Sequence, residues 1–84
     1  AMSAINLIAK LIALDPGYTI SIGGGPEVSR LDKTTFSVVF PESSELDANI
    51  KEKRFKDAEA ASEFFEAKRQ SLKLGDDFLV EDEE

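Results

Sequence analysis

Two short runs alternate strictly between apolar and small polar residues, and they constrain the fold more than anything else in the chain. "YTISI" (Tyr18 to Ile22) sets Tyr18, Ile20 and Ile22 on one side and Thr19 and Ser21 on the other. "TTFSVVF" (Thr34 to Phe40) does the same with Phe36, Val38 and Phe40 inward. A period of two with β-branched and aromatic residues is that of half-buried antiparallel strands, one face on a core and one face wet. The two runs are expected to pair as a hairpin. The segment between them, Gly23 to Lys33, is expected to be its loop.

Something must cover the apolar rows, and two helical segments flank them. "AINLIAKLIAL" (Ala4 to Leu14) follows a capping residue, Ser3, and is stopped by Pro16 and Gly17. Ile5, Leu7, Ile8, Leu11, Ile12 and Leu14 take up most of its circumference, leaving a narrow stripe of Asn6, Lys10 and Ala13. That width fits contact with a sheet plus a second helix, or with a second copy of the chain. The second helix is expected over Ala58 to Leu74. Asp57 is its cap, Ala61, Phe64, Phe65 and Leu72 form its inward stripe, and Gly75 is the left-handed residue that ends it. Glu59, Glu63 and Glu66 lie toward its start and Lys68, Arg69 and Lys73 toward its end, an order that suits the helix dipole.

Between strands and helix, "IKEKRFK" (Ile50 to Lys56) is expected to be a third strand. The alternative is a helix opened by "SELD" at Ser44 to Asp47, but it would align Lys53, Arg54 and Asp57 with Leu46 and Ile50 on one face. After Gly75, "DFLV" reads either as a short fourth strand with Phe78 and Val80 inward or as a sticky element in a tail. The expectation is therefore an α+β domain over residues 2–74. Its order is α-β-β-β-α, with a three-stranded antiparallel sheet, an optional fourth strand and both helices on one face. Residues 75–84 follow as an acidic tail.

Several chemistries are unfavoured. The 84 residues include no cysteine and no histidine, which removes disulfides, thiolate metal sites, the thiol nucleophile and the usual general base. The glycine run "SIGGGPEVSR" lacks the Gly-Lys-Ser/Thr ending of a phosphate loop. It has Val28 where a dinucleotide loop needs its last glycine, and it leads into a strand. The acids show no metal-loop spacing. No enzyme activity, cofactor or metal is expected. The first apolar run is too short to span a bilayer and lacks a secretory leader, so no membrane association and a cytoplasmic location are expected.

Charge is segregated. The net charge is −7, and Gly75 to Glu84 carry six acids and no base; subtracting those six from the 17 acids leaves 11 against 10 bases in the body. Lys51, Lys53, Arg54 and Lys56 surround Phe55. Such a strand is protected from edge pairing by its lysines, and it also has the basic and aromatic components of a single-stranded nucleic-acid platform. With the short strands before it, "FKDAEAASEFFEAKR" resembles the strand-and-helix arm-binding domains of phage-type integrases, which implies DNA as a partner. Those domains are basic, whereas this chain is acidic overall.

The acidic segment, through Asp76, Asp77, Phe78, Glu81 and Asp82, could bind a basic groove on another protein or fold back on "KEKRFK" and compete with phosphate there. The expected function is non-catalytic docking to a protein partner, in the manner of a small accessory or inhibitor protein. The alternatives are a single-stranded nucleic-acid binder gated by its tail and a homodimer formed through the first helix.

Overall fold

The computed structural model describes residues 4–23, 25–75 and 78–82. The elements run α1 (Ala4–Ala13), β1 (Tyr18–Ile22), β2 (Glu27–Asp32), β3 (Thr35–Pro41), β4 (Ile50–Phe55), α2 (Ala58–Ser71) and β5 (Phe78–Asp82). The five strands form one antiparallel sheet in the order β4-β3-β2-β1-β5.

The α+β class, the two helices, the strand at Ile50 and the final strand agree with expectation, while the three-stranded sheet and its pairing do not. The two alternating runs, β1 and β3, are not neighbours, because β2 lies between them. Residues 27–32 were expected in a loop. Their alternation contains a single deeply buried apolar residue, Val28, after which the inward row continues with Arg30. An inward arginine conceals the period. Its guanidinium donates to the carbonyls of Leu14 (2.7 Å) and Ile12 (3.4 Å), which end α1, and also to those of Asp32 and Lys33. It lies 5.8 Å from the centre of the Phe36 ring. Carbonyls at a helix end need donors from outside the helix, and Arg30 supplies them from the sheet.

Opposed residues on adjacent strands share a face. Ile20, Val28, Val38 and Lys53 therefore form one row across four strands, and Thr19, Ser29, Ser37 and Arg54 form the next row on the other face. Both helices lie on the first face: Arg30 reaches α1, and the inward rings of Phe40 and Phe55 pack on Phe64 of α2. Leu7 and Leu11 of α1, Ala61 and Phe65 of α2, and Ile20, Val28 and Val38 of the sheet are completely buried in a common core. On the uncovered face the polar row bonds internally, with Thr19 Oγ1 2.8 Å from Ser29 Oγ.

Asp57 caps α2 as expected, accepting from the Glu59 N–H at 3.0 Å. The C-terminal end differs. The left-handed residue is Lys73 (φ 57), not Gly75, and the Leu74 N–H bonds back to the Arg69 carbonyl. Arg69 fixes this geometry by donating to the carbonyls of Leu74 and Gly75. Its other edge grips Glu66 at 2.5 and 3.1 Å, in a pair that is almost completely buried. From the sequence the two read only as charges ordered along the helix dipole. The glycine run closes the β1–β2 turn through Gly25 N–H to the Ile22 carbonyl. A Cβ at Gly25 would sit 2.0 Å from a terminal methyl of Leu74, so the residue also makes room for the end of α2. The expected cap Ser3 lies outside the described residues.

Candidate docking site

The register of β4 divides its charges between two faces. Lys51, Lys53 and Phe55 oppose Phe40, Val38 and Phe36 and so point toward the helices, while Glu52 and Arg54 oppose Val39 and Ser37 on the open side. The four basic residues expected to act together are thus separated. Lys51 is paired with Glu42 at 2.9 Å, and that hydrogen bond and charge hold the Glu42 carboxyl below the usual range. Arg54 is paired with Glu52 at 3.1 Å. Glu52 also accepts from the Ser37 hydroxyl at 2.5 Å, and this bond, followed by that of Arg54, lowers its pKa. Lys56 lies just past the strand end and is exposed.

Lys53 is placed differently. Phe64 and Lys68, one turn apart on α2, bring a ring and a second ammonium over the same surface. The Phe64 ring stands edge-on to Phe40 at 5.1 Å and tilted to Phe55 at 5.4 Å. Lys53 Nζ lies 5.1 Å from the centre of Phe64 and 5.5 Å from that of Phe55; Lys68 Nζ lies 5.3 Å from Phe64 and 4.6 Å from Phe40. Among the described residues neither lysine has a carboxylate partner. Two ammoniums held on aromatic faces keep their charge and part of their hydration while their stems are fixed. The pair borders β4, which among the described residues is an edge strand bonded to β3 alone.

The sequence identified Lys53 and Phe55 but missed Phe40, Phe64 and Lys68. The spacing of Phe64 and Lys68 was the available signal, and it was assigned to core and dipole. The acidic half of the expected site lies elsewhere. Phe78 packs on Phe65 at 5.7 Å, and pairing with β1 places Glu81 opposite Thr19 and Asp82 opposite Tyr18. Asp76 and Asp77 lie outside the described residues. With β5 and β4 at opposite edges, four strand spacings separate them, about 19 Å at ~4.8 Å each. While β5 stays paired with β1, its acids remain across the sheet from the lysines of their own chain.

The concavities among the described residues include the following. A groove of about 510 Å³ between the β1–β2 turn and the β3–β4 loop is lined by Ile22, Pro41, Leu46 and Ile50 and rimmed by Glu27 and Glu45. A cleft of about 370 Å³ lies between α1 and β5, with Lys10, Tyr18 and Val80 in its wall. No group of three or more potential metal-ligating side chains converges among the described residues. No described helix is long and apolar enough to cross a membrane. Compared with protein-family models, curated proteins and solved structures, the chain matches none.

Proposed function

We propose that this chain is a non-catalytic docking module that holds an acidic segment of a protein partner along the β4–α2 edge. The observation that carries the reading is the pair Lys53 and Lys68, both without a carboxylate partner among the described residues and both anchored on Phe64. An extended segment laid beside β4 would take main-chain hydrogen bonds from the free strand edge, and its carboxylates would accept from the two ammoniums. The aromatic platform favours a peptide over a nucleobase, because the rings already pack on one another and are half-buried.

Anisotropy of a labelled Glu/Asp-rich decapeptide, beside a labelled oligonucleotide at the same low salt, tests this. The peptide should bind, and Lys53→Glu or Lys68→Glu should weaken it by about tenfold or more, as expected when a like charge replaces a partner. Binding of the oligonucleotide alone, lost in the same variants, would instead support the single-stranded nucleic-acid reading.

A further inference from the structure

Among the described residues, the sheet ends in two unpaired edges of opposite charge. On β4, Lys51 is paired with Glu42 and Arg54 with Glu52, which leaves Lys53 without a carboxylate among the described residues, whereas β5 carries Glu81 and Asp82 and no base. Each edge also leaves apolar residues in water: Ile50 is 64% exposed on β4, and Leu79 and Val80 are 55% and 46% exposed on β5. Charged edges ordinarily keep sheets apart. That protection works only between like edges.

We propose that the occupant of the β4 edge is β5 of a second copy of this chain, giving head-to-tail self-association; this rests on the acidic-segment reading above and names its partner. Antiparallel neighbours alternate in direction, so β4 and β5, separated by three strands, run the same way. A second copy moved sideways, with its helices on the same face, therefore presents its β4 parallel to the first copy's β5 and extends the sheet. A register that places Leu79 beside Ile50 also places Asp82 beside Lys53. The two-fold alternatives bring β4 to β4 or β5 to β5 and repeat like charge. Electrostatics thus selects the heterologous contact, which leaves one edge of each sign open at the ends of any assembly. Because β5 is tied to β1 at the far edge, its acids meet the basic edge between molecules and not within one.

Sedimentation velocity over a range of concentrations, at low and moderate salt, reads this directly. The wild type should rise above the 9.2 kDa of one chain with concentration, and salt should reverse the rise. Lys53→Glu should remain monomeric, as should Glu81→Gln/Asp82→Asn, with circular dichroism and thermal unfolding checking that both are folded. Mixed, these two variants retain one competent edge each and should form a 1:1 dimer that grows no further. A wild type that stays monomeric while still binding the acidic decapeptide overturns self-association and leaves the acidic-segment reading standing. Loss of both overturns both. Association that persists in each variant alone places the interface elsewhere and also overturns the proposal.

Discussion

Two side chains of the inward-facing structure, Arg30 and Arg69, do work that no apolar residue in their place could do. Arg30 satisfies main-chain carbonyls at the end of α1, and Arg69 satisfies those of the turn that follows α2. A guanidinium suits this because its donors fan out in a plane and its charge is weakly hydrated. The Glu66–Arg69 pair is almost completely removed from water, so losing one partner is far costlier than losing a surface bridge. Glu66→Ala should destabilise the fold by about 3 kcal/mol, measured by urea denaturation; a change within about 0.5 kcal/mol, as at an exposed site, would contradict the burial of the pair.

Glu52 behaves differently because it is exposed. Its pKa is lowered chiefly by the Ser37 hydroxyl and next by Arg54. A carboxyl whose folded pKa lies below its unfolded one stabilises the fold above the ordinary carboxylate range, and that contribution disappears as pH falls through the folded value. Ser37→Ala removes the first cause. Its urea midpoint should lie below that of the wild type near neutral pH, and the gap should narrow as pH falls below about 4. A gap that does not change with pH would assign the Ser37 effect to packing.

Among the elements, those whose residues repeat cleanly were legible from sequence. β1, β3 and α2 announce themselves by period, and the strand at Ile50 follows from the poor helix face its charges would make. β2 did not, because one valine and one inward arginine do not make a visible alternation and the glycine run suggested a loop. The end of α2 was misread for a related reason. Gly75 is the obvious left-handed residue, but Arg69 binds the carbonyls of both Leu74 and Gly75 and thereby sets the turn two residues earlier, at Lys73. A lysine at φ 57 bears a strain that glycine avoids. Lys73→Gly should therefore raise the unfolding free energy by about 0.5–1 kcal/mol. An unchanged or lower value would mean that the turn does not hold this conformation in solution. α1 is wide for the same kind of tertiary reason. Leu7 and Leu11 are fully buried and Leu14 almost so, while Ile12 is 64% exposed, so Ile12→Lys probes a dimer through this helix without entering the core.

At the scale of the whole molecule, the decisive event is the crossover through α2. The chain leaves the sheet at the β4 edge, packs α2 over β4, β3 and β2 and against α1, and re-enters as β5 at the opposite edge. No local pattern encodes that return. The basic half of the candidate site was therefore legible as a strand composition. Its convergence with Phe64 and Lys68, and its separation from the acids, depended on where α2 docks and where β5 lands.

The same route makes the acidic segment structural. β5 pairs with β1 along its whole length, from Ile22 opposite Phe78 to Tyr18 opposite Asp82, and Phe78 lays its ring on the fully buried Phe65. Removing residues 76–84 would strip β1 of a neighbour, uncover part of the core and create a new, uncharged edge bearing Tyr18, Ile20 and Ile22. Such an edge invites association of its own. The truncated chain should lose about 3 kcal/mol or more, on the scale of deleting a buried phenylalanine, and should aggregate at concentrations where the full chain does not, as thermal unfolding and light scattering would show. Phe78→Ala should reproduce most of the stability loss while keeping every acid, which separates the packing role of β5 from its charge. If truncation left the unfolding temperature unchanged, β5 would not be the edge of this sheet in solution. The charge complementarity of the two edges would then have no fixed geometry on which to act.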